Sequence, residues 1–206
     1  MRNKTKDVVD LFKDYKGKFY VQLKIYIHDI GDLREIICKK KLVLDVGCGE
    51  GILTILLKTL STDAKFVCLD KDLKKINYLR QKHFDIITHN ISFEDFESHD
   101  RFDLIIFNDV LHHQDDSTIN YFLNKARSLL TLDGEILVKE VDRNDKLDHY
   151  NTLIWDKIIY PQDKINFKTI EMWNQIFTSN DLQIKKHKRI RNMWPASRTQ
   201  FLLKAK

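Results

Sequence analysis

One ten-residue stretch, from Leu42 to Gly51, constrains this 206-residue chain more than any other. Val43, Leu44 and Val46 form a short apolar, β-rich run, as expected of a strand buried in a parallel sheet. Gly47, Gly49 and Gly51 follow at alternate positions. Ile52, Leu53, Ile55, Leu56, Leu57 and Leu60 then repeat at helical spacing. A strand, a glycine turn and a helix make the first half of a nucleotide-binding βα unit. Glycine lets the backbone there approach a ligand and take positive φ.

The spacing narrows the choice of ligand. The dinucleotide fingerprint needs a glycine five positions after the first. Here that position is Ile52, the third glycine comes one residue early, and Asp45 sits two residues before Gly47. Asp45-Val46-Gly47-Cys48-Gly49-Glu50-Gly51 resembles motif I of the class I S-adenosylmethionine (SAM) dependent methyltransferases. The resemblance implies a SAM site at Asp45, Gly47, Cys48, Gly49 and Gly51, with S-adenosylhomocysteine as the product. A glycine turn without a ligand is the alternative.

Later segments extend the resemblance over residues 40–206. Lys65 to Asp70 reads as a second strand ending in an acid. An acid in that place accepts hydrogen bonds from ribose hydroxyls in dinucleotide sites. Asp70 resembles the family's ribose-binding acid, with Lys71 bordering the adenine. Asp72 reads as the N-cap of a helix to His83, with Leu73, Ile76, Tyr78 and Leu79 inward. Phe84 to Thr88 reads as a third strand. Where the family has an acid beside the adenine, this chain offers Asn90, followed by Ile91; an amide oxygen can still accept from the adenine amino group. Ser92 and Asp95 suggest a capping box for a short helix.

Phe102 to Phe107 is a fully apolar fourth strand apart from Asp103. It runs into Asn108-Asp109-Val110-Leu111-His112-His113. This resembles the family's motif IV in the Val-Leu-His-His form common among methyltransferases of small molecules. The resemblance adds Asn108, Asp109 and Val110 to the cofactor site. The Asp/Asn-Pro-Pro-Tyr/Phe motif that grips a flipped base amine is absent, which argues against that class of nucleic-acid enzyme. The adjacent histidines lack the further ligands that zinc requires, so no metal is expected. A displacement at a methyl group needs a base only when the acceptor must lose a proton, as a hydroxyl does. His113 is the first candidate base, followed by His112, Asp142 and His149.

Asp115 or Asp116 caps a helix from Ser117 to Leu130, Asp133-Gly134 reads as a tight turn, and Glu135 to Val141 as a fifth strand. Residues 142–167 mix acids and aromatics, which suits an acceptor wall or lid. His149, Tyr150 and Tyr160 there, with Trp194, are candidate acceptor contacts. A docked amphipathic helix is the alternative for the segment. A further helix is expected over 163–179. Residues 181–190 and 198–203 read as an edge strand and its partner, resembling the antiparallel hairpin that ends the methyltransferase sheet. The expected fold is α/β: a Rossmann-like, doubly wound sheet of about seven strands, mostly parallel, with helices on both faces. Residues 1–41 are expected to form a helical cap in three amphipathic pieces, with apolar faces of Val8, Val9, Leu11 and Phe12, then Phe19, Leu23, Tyr26, Ile27 and Ile30, then Leu33, Ile36 and Ile37 after Gly31; residues 42–206 are expected to form the methyltransferase domain.

Charge distribution sets the partner classes. Residues 42–184 carry a net −8 and residues 185–206 a net +8, with eight lysines and arginines and no acid. A basic segment can meet nucleic acid or a phosphorylated substrate, or simply face solvent as an edge strand. No apolar run approaches the ~18–20 residues of a membrane span. Cys38, Cys48 and Cys68 show no metal spacing, as in a reduced, cytoplasmic protein. The leading expectation is methyl transfer from SAM to an oxygen or nitrogen of a small molecule. The alternatives are an RNA or protein methyltransferase of the same fold, a non-catalytic SAM-binding protein, and an NAD(P) dehydrogenase.

Overall fold

The computed structural model describes residues 2–61, 63–82, 84–145, 150, 153–154, 157, 165–190 and 198–206. The elements are α1 (Arg2–Tyr26), α2 (Ile30–Ile37), β1 (Leu42–Val46), α3 (Ile52–Leu60), β2 (Lys65–Leu69), α4 (Leu73–Arg80), β3 (Ile87–His89), β4 (Phe102–Asn108), α5 (Asp116–Leu129), β5 (Leu130–Glu140), α6 (Ile170–Ser179), β6 (Leu182–Ile190) and β7 (Arg198–Ala205). The seven strands form one sheet in the order β3-β2-β1-β4-β5-β7-β6. β1, β2 and β3 pair in parallel, whereas β7 runs antiparallel to both β5 and β6. This is the mixed α/β sheet that the sequence predicts. Among the described residues, no helix is long and apolar enough to cross a membrane.

The chain divides into two compact units, Met1–Leu104 and Ile105–Lys206. In the first, α3 is buried almost all round through Ile52, Leu53, Ile55, Leu56 and Leu57, and α1 and α2 pack on it. Asp103 fixes the entry to β1 by accepting from the backbone N–H groups of Lys41 at 2.9 Å and Leu42 at 3.0 Å. α4 carries the expected cap: Asp72 accepts from Lys74 N at 2.9 Å. Its inward face is Ile76 and Leu79, while Leu73 lies exposed.

The N-terminal helices depart from expectation. α1 is a single run, interrupted conformationally by Gly17 at φ 82°. That residue shifts the helical phase, so the buried stripe passes from Val8, Val9 and Phe12 to Val21 and Ile25. Phe19 and Tyr26, expected inward, are 73% and 57% exposed. Ser92 and Asp95 do exchange hydrogen bonds, but they close a turn and not a helix.

In the second unit, Asp115 is the N-cap of α5, its carboxylate accepting from Thr118 N at 2.7 Å. That bond holds its carboxyl down, at a pKa of about 2. Asp133-Gly134 is not a turn; β5 runs unbroken from Leu130, and its ladder with β7 begins at Glu135. α6 begins at Ile170, where Thr169 caps it; residues 165–169 are not helical, Lys168 forming an isolated bridge with Asp142, and residues 163–164 of the expected helix lie outside the described residues. Trp173 and Phe177 are its buried anchors and stack at 5.6 Å. β6 is the lysine-rich edge, which suits a strand that must not pair further.

Candidate active site

In the first unit the site is built on backbone. Gly47, Gly49 and Gly51 all take positive φ, at 68°, 56° and 78°. The loop folds back on itself through Gly51 N to Cys48 O, 3.0 Å, and is tied to β2 through Cys48 N to Leu69 O, 2.9 Å. Gly51 suits its φ of 78°, which strains any residue with a Cβ, and an added Cβ would also sit 2.4 Å from Leu79 Cδ1, so that side chain would have to shift. At Gly49 a Cβ would meet nothing within 4 Å, so open space lies over the loop where a ligand can approach the chain.

Asp70 joins the loop to the end of β2. One carboxylate oxygen accepts from Gly49 N at 2.8 Å and the other from Asp72 N at 2.8 Å. Each oxygen keeps a further lone pair, so the side chain can also accept from a pair of hydroxyls. Asn90 donates from its amide nitrogen to Asp70 O at 3.0 Å, which fixes the amide and leaves its carbonyl oxygen as the acceptor. Lys71 is exposed beside them. Ile91 follows Asn90 and is half-buried.

Asp45 lies beneath the loop, 2% exposed. Thr54 donates to it at 2.5 Å and also lies 3.3 Å from Cys68 Sγ. Burial pushes the Asp45 carboxyl up to about 7, against the pull of Thr54, and the nearby Asp70 adds to the rise. The neighbouring Cys68 and burial push the Cys48 thiol well up, so it is no thiolate.

In the second unit the turn after β4 is built on side chains. Asp109 takes φ 55° without being glycine. Its N–H reaches Lys139 O at 2.9 Å, and its carboxylate meets Arg198 Nε at 2.6 Å. Glu140, 1% exposed at the end of β5, organises the rest of the turn. One oxygen accepts from Val110 N at 3.1 Å and Leu111 N at 2.7 Å; the other lies 2.5 Å from His112 Nδ1. Leu111–His113 is a single 3-10 turn. His112 is 1% exposed and His113 half-buried, their rings 4.1 Å apart. Asn108, just before the turn, has a buried Oδ1 with no hydrogen-bond partner among the described residues.

The remaining candidates divide. Asp142 is buried, and its Oδ1 accepts from Asn144 N at 3.0 Å, which engages it in a turn. Tyr150 is exposed. His149, Tyr160 and Trp194 lie outside the described residues, as does most of the 146–164 segment. Sequence reasoning missed Glu140. The available signal was a pair of charges, Lys139 and Glu140, following the apolar run Ile136-Leu137-Val138. It also missed Asn166 and Lys168. Asn166 N donates to His112 O at 2.7 Å, and the Lys168 ammonium meets Asp116 at 2.6 Å.

A glycine loop with an acid closing its far side, at the end of the first strand of such a sheet, is the geometry of a nucleoside site. A sequence model of the methyltransferase domain matches residues 22–187. The chain belongs to this family. Among curated proteins, none matches by sequence. Solved structures with this fold include human N-acetylserotonin methyltransferase in complex with SAM, at 18% identity and a TM-score of 0.70, covering 94% of this chain and 57% of that one. An O-methyltransferase of neocarzinostatin biosynthesis, with SAM and 2-hydroxy-5-methyl naphthoic acid, matches at 17% identity and TM-score 0.66 over 87% of this chain and 51% of that one. An enzyme of a pericyclic reaction matches at 14% identity and TM-score 0.69, over 84% and 47%. This methyltransferase domain thus spans about half the length of the structures it resembles, and shares their fold.

Proposed function

We propose that this methyltransferase domain binds SAM at the Gly47–Gly51 loop and methylates an oxygen or nitrogen of a small molecule. The observation that carries the reading is the grip of Asp70 on Gly49 N beneath an open space at Gly49. The donor supplies a methyl group on a sulfonium and departs neutral. The chain's residues have three tasks: to hold it, to aim the acceptor and to exclude water. Such positioning contributes ~7–11 kcal/mol to lowering a barrier.

Asp70 accepts from the ribose hydroxyls, and Asn90 Oδ1 accepts from the adenine amino group, with Lys71 and Ile91 at the base edge. Asp45 underlies the methionine end beside Cys48. For Asn108, Asp109 and Val110 a cofactor role rests on the resemblance of their motif to the family's; Asn108 Oδ1 is a buried acceptor without a hydrogen-bond partner among the described residues, which costs ~1–3 kcal/mol until something donates to it. Glu140 fixes the tautomer and aim of His112 by holding Nδ1, as a carboxylate does for a catalytic imidazole. A hydroxyl acceptor loses its proton to Nε2 of His112. His113, its ring 4.1 Å away and tilted by 39°, is the first candidate by sequence and is ranked second here because Glu140 orients His112. An amine or a carboxylate acceptor needs neither.

The small-molecule reading draws support from the Val110-Leu111-His112-His113 form of the turn. The two methyltransferases described above also share this fold, and one of them was crystallised with a small aromatic acid. It draws support, too, from the basic C-terminal segment. Lys185, Arg189, Arg198 and Lys204 are ion-paired with Glu135, Asp145, Asp109 and Asp133, which reduces the positive field left for a phosphate chain. Incubation with methyl-labelled SAM and parallel panels of metabolites, tRNA and rRNA tests the reading. Label in a small molecule is the expected result; label only in RNA overturns it.

A further inference from the structure

Three consecutive residues outside the nucleotide site converge on the His112 turn. Asn166 N donates to His112 O at 2.7 Å. The Asn166 amide donates to Gln114 O at 3.2 Å and to Asp116 Oδ1 at 2.9 Å. The Phe167 ring, itself buried, lies 5.1 Å from the His112 ring. Lys168 meets Asp116 Oδ1 at 2.6 Å, and that contact, first, with Asn166 second, draws the Asp116 carboxyl below its usual range. Its other end is fixed as well: Lys168 O accepts from Arg143 N at 3.0 Å, and the residue bridges to Asp142 just beyond β5.

The Lys168 side chain is 1% exposed. Burying an ammonium is unfavourable unless it is paired, and a purely structural strap would be better served by an apolar side chain. Here the buried charge holds the first turn of α5, and the backbone beside it holds the carbonyl of His112. The imidazole is therefore bounded on three sides, by Glu140 at Nδ1 and by the His113 and Phe167 rings, while Asn166 holds the main-chain carbonyl of His112.

We propose that Asn166, Phe167 and Lys168 form a positioning strap that sets the aim and proton affinity of His112. The inference deepens the reading of His112 as the base and rests on it. Lys168 and Asn166 are positioning residues; neither is assigned a contact with substrate.

The test uses the imidazole itself, so it needs no acceptor. The ring signals of the full chain are followed by NMR against pH, with His112→Gln assigning the His112 signal. Lys168→Met and Asn166→Ala are compared with Lys168→Arg, which keeps the charge. The expected result is a His112 midpoint displaced by roughly half a unit or more in the first two variants and restored toward the native value in Lys168→Arg. Asn166→Ala keeps the backbone bond, so it serves should Lys168→Met not fold. A lowered melting temperature with an unmoved His112 midpoint in the folded variants overturns the strap. Titration of the native chain with SAM is run alongside: failure to bind SAM defeats the methyltransferase reading, whereas SAM binding with an unmoved midpoint defeats only the strap.

Discussion

The turn that leaves β1 is held by backbone, and the turn that leaves β4 is held by side chains. At Gly47–Gly51 the conformation comes from three glycines at positive φ and from main-chain bonds to Cys48 O and Leu69 O. At Asp109–His113 a non-glycine residue takes positive φ, and a buried carboxylate 30 residues from Val110 gathers two N–H groups and an imidazole. A backbone turn is written in adjacent residues and tolerates variation around it. A turn held by Glu140 depends on one distant carboxylate, and on Asn166 beyond it. The first kind suits an invariant ligand. The second suits a group whose aim and charge state must be set.

Substitutions that remove charge while keeping shape should separate the two turns. The largest effect is expected at the second. Glu140→Gln leaves an amide that cannot hold His112 as a carboxylate does. Turnover on a hydroxyl acceptor should fall about a hundredfold or more, with SAM affinity little changed. Kinetics set beside calorimetry check this, and a loss of SAM affinity equal to the loss of turnover would erase the distinction. Asp70→Asn acts on the first turn alone. It should weaken SAM binding roughly 10- to 100-fold, because one charge-assisted acceptor is lost, while the His112 titration stays where it was.

The smallest effect concerns pH. The Asp45 carboxyl titrates at about 7 in the folded chain, against an ordinary value of 3.8. Between those values the folded state holds the extra proton, so stability falls as pH rises from about 4 to about 7 and stays reduced above that. Asp45→Asn is neutral throughout and keeps an oxygen for Thr54. It should raise the melting temperature by a few degrees at pH 8 and by little at pH 4. An equal change at both pH values would remove Asp45 charge from the explanation.

The same contrast explains what the sequence could disclose. β1, α3, β2 and the β6–β7 hairpin are legible because apolar periodicity and glycine spacing are local signals. Asp70 is legible because it lies one residue past a strand. Glu140 is not: at the end of β5 it looks like a solvated strand terminus, and only the fold brings it to His112. Lys168 falls within the expected helix over 163–179, yet it is not helical: its backbone carbonyl accepts from Arg143 N and the residue bridges to Asp142, a distant pairing that periodicity does not reveal. The inward face of α1 was misplaced because Gly17 changes the phase of a pattern that looks continuous. Of the acceptor candidates, Tyr150 is exposed, and its role stands as a proposal with those of His149, Tyr160 and Trp194.

The central claim is that the backbone turn after β1 holds an adenosyl methyl donor. Calorimetric titration of the native chain and Gly47→Val with SAM and with NAD tests it most directly. Gly47 sits at φ 68°, where a β-branched residue is strained. The native chain is expected to bind SAM and not NAD, and Gly47→Val to remain folded but bind neither. Binding of NAD alone, or undiminished SAM affinity in Gly47→Val, would contradict the claim.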